Sequence, residues 1–379
     1  MNRQKKKGIS MTKYFVYLFA IILLLTSSDC RKNPIEPPTS PPSVPDTTSH
    51  AFTFQQLSWG NGGGASFLND AAILSDTNIW TVGTIVLIDS TTPYGYPPYG
   101  AVHWDGTSWN LVKLPTSIGL NYTSYLTPTG IMAFSPIDIW LASGGVHRFD
   151  GKTITQSYWI NNFPGNTGIL DPGQFIGKLW GTSDNNLYAV ATKGGIAHFD
   201  GTNWQKLSSP TQLDITDIYG ATDPKTGGQE ILAVANQLDS LPSQTQLLRI
   251  QGTSVSLVAT FHKVYSSVWF VPGEMYYLAG DGIISTNSLS NSVWNNNTTS
   301  AYTFVAGCIR GTSLSDIFVS GWGSSVVPDV AHYNGSTWFD YLNQMAGGYG
   351  AYASVAFHGN TMIAVGQVAP NAVLLVGKR

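Results

Sequence analysis

DNNLYAVATKGGIAHFDGTNWQKLSSP (184–210) is the stretch whose reading decides the fold. A polar Asp-Asn-Asn turn opens onto the apolar run LYAVA. A Lys-Gly-Gly break follows, then a second run, IAHF, an Asp-Gly turn, and a segment carrying Trp204. Short runs rich in β-branched and aromatic residues, bounded by Gly, Asn and Asp, read as strands and turns. Asp-Gly supplies the positive φ angles of a two-residue type I′ hairpin, so the runs flanking Asp200-Gly201 are expected to pair through such a turn.

Outward from this stretch the same string recurs. DTNIWTVG…AVHWDGTSWNLVKLP (76–115) and PIDIWLASGGVHRFDGKTITQSYW (136–159) precede it, and SDIFVSG…VAHYNGSTWFDYL (315–342) follows. Two degenerate copies lie between, EILAVANQ…QLLRIQGTSVSLVA (230–259) and MYYLAGDGIISTNSLSNSVW (275–294). The turn glycines Gly106, Gly151, Gly201 and Gly252 stand 45, 50 and 51 residues apart. Four antiparallel strands every 45 to 50 residues is the period of a β-propeller blade. The composition agrees: only 11% of the 379 residues are charged, against 40 Gly and 12% aromatics, and the three Glu are Glu36, Glu230 and Glu274. Helical bundles, which are rich in Glu and Lys, are excluded, and an all-β chain is expected.

The repeated strings resemble those of the bacterial extracellular propeller-repeat superfamily, whose members carry comparable IW…G…HYDG…W patterns. The resemblance covers residues 51–379. It implies the fold and leaves the task open, because propellers host many unrelated functions.

Six copies lie between residues 69 and 344. SVAFHGNTMIAVGQVAPNAVLLVGKR (354–379) then offers three strands with no fourth, while AFTFQQLSW (51–59) reads as a fourth strand without its three predecessors. Joining the two ends gives a seven-bladed β-propeller of four-stranded antiparallel blades, the last blade closed by the N-terminal strand. Six or eight blades stay open at this point, since the fifth copy is the least regular. Closure removes sheet edges that would otherwise pair with other chains.

Residues 1–29 read as a secretory signal: Arg3, Lys5, Lys6, Lys7 and Lys13 are followed by the run FVYLFAIILLL (15–25). Eleven residues are too few for a membrane-spanning helix, which needs about 20, but suit a signal's apolar core. Cys30 sits where bacterial lipoproteins carry their acylated cysteine. Ser27 and Asp29 depart from that family's preference for Leu and for a small residue at those places. A cleaved signal with an incidental cysteine is the alternative. Residues 30–50, with six prolines, read as an extended tether. The expected address is therefore the cell envelope, the chain held to a membrane through a lipid on Cys30. Cys308 remains alone in the folded part, so no internal disulfide is expected there, and VAGCIRG suggests a buried strand thiol.

Beyond residue 29 the 22 acidic residues lose Asp29, and the 19 basic ones lose Arg3, Lys5, Lys6, Lys7 and Lys13, which leaves a net −7. An acidic head with scattered cations lacks the basic stripe that phosphate backbones require, so nucleic acid is excluded as a partner.

His103, Arg148, His198, Arg249 and His332 stand two residues before the Asp, Gln or Asn of each turn. Residues recurring once per blade are spread around a ring and cannot converge on one metal ion. Hydrogen bonding between neighbouring blades is the expectation for them, and no metal or cofactor is expected. Asp76, Asp138, Asp184 and Asp316 are expected to cap the turn into the second strand. Trp109, Trp204, Trp294 and Trp338 are expected to pack the outer strands.

Function is sought where the repeat breaks. The long irregular segments fall mostly between second and third strands or between blades: 83–100, 160–175, 237–246, 321–329 and 343–352. These connections share one face of a propeller; 221–230 is the exception, on the other. The candidate ligand-binding residues of the long-loop face are Tyr94, Tyr96, Tyr99, Trp159, Asn161, Asn162, Phe163, Trp322 and Tyr349. Aromatic rings give a large contact area at low entropic cost, and rings beside amides stack on sugar faces.

Enzyme readings find less support. No Ser-x-Asp-x-Gly-x-x-Trp box, Asp-x-Asp, Gly-x-Ser-x-Gly, His-Glu-x-x-His or phosphate-binding loop occurs. Glu230 and Glu274 form no recognisable pair. The expected function is non-catalytic recognition of a glycan or protein at the envelope by a monomer. The alternative is a carbohydrate-active enzyme, hydrolase, lyase or transferase, with its site in the central channel.

Overall fold

The computed structural model describes residues 48–379 except 62–63, 89–91, 93, 118–122, 160–167, 238–242, 292, 298–304 and 346. Among them, seven four-stranded antiparallel sheets form a β-propeller. Blades 1 to 6 span 67–112, 130–159, 176–206, 214–261, 265–296 and 305–340, each with its first strand innermost and its fourth outermost. Blade 7 is composite. Gly350–His358, Thr361–Val368 and Asn371–Lys378 supply three strands, and Thr53–Trp59 pairs antiparallel with the last, from Thr53 opposite Lys378 to Trp59 opposite Ala372. The ring closes as the two orphan segments required.

Closure begins earlier than residue 51. Thr48 Oγ1 donates to the Ser315 carbonyl of blade 6, and Tyr341 Oη donates to the carbonyl of His50. Phe52 is buried against Phe54, Phe318 and Phe357, so a hook ahead of the outer strand locks blade 7 to blade 6.

The second strands are the most buried, and apolar clusters form between successive blades. Leu68, Ile79 and Val102 of blade 1, for example, pack on Ile363, Val365 and Leu374 of blade 7. Six of the seven inner strands carry a β-bulge at matching register, with shifts at 68/70, 176/178, 215/217, 265/267, 306/308 and 352/354. A bulge re-aims side chains and frees a residue from the ladder. Here the freed residues tie blades together around the axis: Asn69 Nδ2 donates to Pro128 O at 2.9 Å, Thr216 Oγ1 to Ser266 O at 3.0 Å, and Ser266 Oγ to Ala306 O at 2.9 Å.

The repeated histidines and arginines act chiefly within their own blade, which corrects the expectation of bonds between blades. His103 donates to Asn78, His198 to Asn186 and His332 to Asp316, at 2.8–3.0 Å, while Arg148 and Arg249 pair with Asp138 and Glu230. Each acceptor stands two residues before the second-strand residue directly opposite, so the antiparallel register brings the pair together. The rings also stack, His103 on Trp80 at 3.9 Å and His198 on Tyr188 at 4.3 Å. Two of the five also reach beyond their blade, Arg148 to Asp184 of the next blade and His332 to His50 of the hook that leads into blade 7.

The turns differ too. The Asp-Gly and Asn-Gly loops hold four residues, not two: Trp104 pairs with Trp109 and Asp105 N donates to Ser108 O. Gly106 alone takes a positive φ, while Asp105 Oδ1 accepts the N–H groups of Thr107 and Ser108. Asp150, Asp200 and Asn334 repeat this. Capping thus belongs to these residues; Asp138, Asp184 and Asp316 instead hold cations, and Asp76 accepts from Thr361 Oγ1. Trp109, Trp204 and Trp338 cover the outer strands against Trp104, Phe199 and Tyr333. Trp294 packs on Phe261. Cys308 is buried on an inner strand, as its neighbours implied.

Candidate functional site

Two regions could carry function, the axis and the long-loop face. At the axis, register makes Asp70, Gly130, Lys178, Asp217, Ser267, Cys308 and Ser354 equivalent, one per blade. Lys178 of blade 3 reaches past blade 2 to Asp70 of blade 1 at 2.8 Å. Gly130 makes way: a Cβ there would lie 2.7 Å from Gly177 O. Arg310 of blade 6 likewise reaches past Ser267 and grips both oxygens of Asp217, at 2.7 and 2.9 Å. Asp70 accepts further from Ser354 Oγ and Ile131 N, and Asp217 from Ser267 Oγ and Val268 N.

Burial opposes the charged form of Asp217, but the Arg310 guanidinium outweighs it and holds this carboxyl below the usual range. Burial likewise opposes the Lys178 ammonium, and the Asp70 charge more than compensates. Each axial carboxylate is therefore paired with its own cation and two or more donors. A general acid needs a proton to give, and a base needs a lone pair facing substrate. This belt fits structural cross-bracing better than acid–base chemistry in the channel.

The long-loop face is different. Chain direction places the described residues of the connections 60–66, 86–98, 113–129, 168–175, 323–327 and 341–349 on one face, Tyr94 and Tyr96 with the others. Over blades 7, 1 and 2 successive connections clasp one another. Ala369 N donates to Tyr349 O, Ser66 N to Pro370 O, and Gln367 Nε2 to Ser66 O. Ser66 Oγ accepts Val86 N, and the Asn61 amide bonds both the N–H and the carbonyl of Ile88. The next connection forms a small hairpin of Pro115–Ser117 and Thr123–Tyr125, and Tyr96 sets its ring edge against Tyr125 at 5.9 Å. Thr116 Oγ1 then bonds Ser157 Oγ on the outer strand of blade 2.

The result is a braced arc that displays several exposed apolar and phenolic side chains among polar ones. Tyr94 is 91% exposed, Tyr96 57% and Tyr349 38%, with Ile88 exposed beside them. Phe175 is also exposed, farther round at blade 3. The other sequence candidates sit deeper. Tyr99 is half-buried with Lys113 over its ring, and Trp159 leans on His147, which burial pushes down to about 4. Trp322 is half-buried at the end of its strand, opposite Pro328. Asn161, Asn162 and Phe163 lie outside the described residues, as does Cys30. Asn61 and Tyr125, which hold the arc together, were missed because lone polar and aromatic residues in short connections carry no periodic signal.

Among the described residues no group of three or more His, Cys, Asp or Glu is placed to hold a metal ion.

No protein-family model matches the chain, and no curated protein does. Solved structures match over nearly their whole length. YCF48 bound to D1 peptide aligns with a TM-score of 0.58 at 14% identity, over 89% of this chain and 100% of that one. A catalytically inactive virginiamycin B lyase from Staphylococcus aureus with quinupristin aligns at 0.56 and 10% identity, over 86% and 99%. YCF48 from Cyanidioschyzon merolae gives 0.56 and 13%, over 85% and 98%. At such identities the likeness is one of fold: a seven-bladed propeller that can be put to unrelated uses.

Proposed function

We propose that the chain is an exported member of the extracellular propeller-repeat group, acylated on Cys30, whose propeller works as a non-catalytic binding module at the cell envelope. The partner is a glycan or a protein, taken up by the long-loop face. The observation that carries this reading is the arc itself: Tyr94 and Tyr96 stand exposed on loops whose backbones are clasped to their neighbours. Exposed rings on a preorganised base lose little freedom on binding, and so retain more of their contact energy. A structural relative holds a peptide on the same fold, which supports a binding role for such a scaffold. The paired axial carboxylates favour binding over chemistry in the channel.

The test is binding of the purified propeller to a glycan array and to candidate envelope proteins. Each hit is then titrated against a variant with Tyr94, Tyr96 and Tyr349 replaced together by Ala. Loss of tenfold or more in affinity, about 1.4 kcal/mol, with unchanged thermal stability is expected. Unaltered affinity would reject this face, and product release from a polysaccharide panel would reject the non-catalytic reading.

A further inference from the structure

Ile88, Tyr94 and Tyr96 stand exposed on a single connection, the one between the second and third strands of blade 1. Charge is scarce around them. The connections 60–66, 86–98, 113–129 and 341–349 contain one acid, Asp89, and one base, Lys113. Lys113 lies over the Tyr99 ring, 4.9 Å from its centroid. A partner selected by charge finds little to pair with on this part of the arc.

The amides and hydroxyls beside the rings are taken up by the brace. Asn61 Nδ2 donates to Ile88 O at 2.7 Å, and its Oδ1 accepts Ile88 N at 2.9 Å. Ser66 Oγ accepts Val86 N at 3.0 Å, and Thr92 Oγ1 donates to Leu87 O at 2.7 Å. Thr116 Oγ1 bonds Ser157 Oγ. Exposed Ser117 and Thr123 stand at the opposite end of the small hairpin from Tyr125, the residue that Tyr96 touches. Among its described residues, then, the blade 1 connection displays one aliphatic side chain and two phenols, each phenol an apolar ring face with an O–H donor.

Such a surface suits a ligand that offers apolar faces and acceptors while bringing no donors of its own. Every sugar hydroxyl carries a donor that loses water on binding, and so does every ordinary peptide N–H; a buried donor left without an acceptor is costly. Proline has no N–H, and each prolyl residue presents an apolar ring beside a carbonyl. In an extended proline-rich segment those carbonyls make no internal hydrogen bonds. Prolyl rings can lie on Tyr94, Tyr96 and Ile88 while carbonyls accept from the two phenols. The segment is extended before it binds, so little freedom is lost, which is how aromatic-lined surfaces take up proline-rich chains.

We propose that this part of the arc takes an uncharged, proline-rich, extended segment of a partner protein. The proposal rests on the long-loop face being the binding face and names, within that reading, the chemistry of the partner.

The test is fluorescence anisotropy of a fluorescein-labelled oligoproline of about ten residues, titrated with the full chain. Saturable binding is expected, changing less than about twofold between about 0.05 M and about 0.5 M NaCl. Tyr94→Phe and Tyr96→Phe keep the ring and remove only the phenol, and each is expected to weaken binding about fivefold. Tyr94→Ala/Tyr96→Ala is expected to weaken it by more than about tenfold. Cellohexaose, and an alanine–glutamine peptide of equal length, are expected not to displace the probe at concentrations where unlabelled oligoproline does. No saturable binding, strong weakening by salt, full affinity in both Phe variants, or displacement by cellohexaose would each overturn the proposal. Its failure is distinguishable from failure of the broader reading. If oligoproline does not bind while another partner is lost when Tyr94, Tyr96 and Tyr349 are replaced, the face stands and only the partner's chemistry is wrong. If oligoproline binds equally well to Tyr94→Ala/Tyr96→Ala, the face itself is wrong.

Discussion

Asp329 gives the sharpest test of how the long-loop face is held. It lies at the start of the third strand of blade 6 and is 1% exposed. Its Oδ1 accepts Val330 N at 2.7 Å, while Oδ2 has no donor among the described residues and sits against Gly323, where a Cβ would come within 3.3 Å. Asp340 faces it from the outer strand, opposite Ala331 in register, with its own Oδ1 taken by Leu342 N. Burial first, and the Asp340 charge second, push Asp329 up to about 8, so it keeps a proton at neutral pH.

The sign follows from linkage. The folded carboxyl titrates near 8 and the unfolded one near 4, so the folded state holds one more proton between those limits. Its stabilising contribution is complete below about pH 4 and fades by about 1.4 kcal/mol per pH unit until it is gone past pH 8. Asp329→Asn supplies a permanent donor toward Asp340, keeps an acceptor for Val330 N, and has nothing to titrate. In urea unfolding followed by tryptophan fluorescence, the advantage of Asp329→Asn over the parent should widen by about 3 kcal/mol from pH 5 to pH 7. Other titrating groups are common to both proteins and cancel in the difference. A difference that stays constant over that range would refute the reasoning, because it would mean that Asp329 is ionised in the folded protein.

The axial belt and the closure make further predictions. Arg310→Met leaves Asp217 buried without its cation and is expected to cost about 3–5 kcal/mol in urea unfolding, with much of that regained in Asp217→Asn/Arg310→Met. A recovery no larger than additivity would show that the pair is not coupled. Deleting residues 48–59 bares the strand Asn371–Lys378 along its whole length and is expected to give dimers or larger species in size-exclusion chromatography. A monodisperse monomer of unchanged melting temperature would contradict the closure. Gly321→Ala would set a Cβ 2.0 Å from Val305 O, between paired strands of blade 6, and is expected to yield little folded protein on expression.

The ring was legible in the sequence because each blade repeats one bargain between local pattern and register. An apolar second strand follows a polar turn, and in blades 1, 2, 3 and 6 a histidine or arginine lands opposite an aromatic two residues beyond its acceptor. Trp80 with His103, Tyr188 with His198 and Phe318 with His332 show the same arrangement, so a period visible in the text became a period in space. What stayed hidden was set by contacts with no period. The four-residue turns depend on where the carboxylate of Asp105 points, and the axial pairs depend on which blades carry small residues. Gly130 and Ser267 let Lys178 and Arg310 pass, and nothing in a linear repeat says which cation reaches which anion. His50 read as tether because its partner lies 282 residues away.

The same division explains why the loop face is free to specialise. Stability is invested in the second strands, the seams and the axial belt, none of which includes Tyr94, Tyr96 or Tyr349. Those residues stand on connections tied to one another mainly by backbone groups and by short amides and hydroxyls: Asn61 to Ile88, Ser66 to Val86, Ala369 to Tyr349. Backbone clasps hold a loop in place whatever side chain it displays, so the displayed side chain can change with little effect on the ring. The converse also holds. Asn61→Ala removes both clasps on Ile88 while leaving every exposed ring intact, so it is expected to weaken partner binding through lost preorganisation and to leave the melting temperature within about 2 °C of the parent. Binding equal to the parent would mean that the rings act without the brace. A fall in melting temperature as large as that expected for Arg310→Met would mean that the loop face and the ring are not separate.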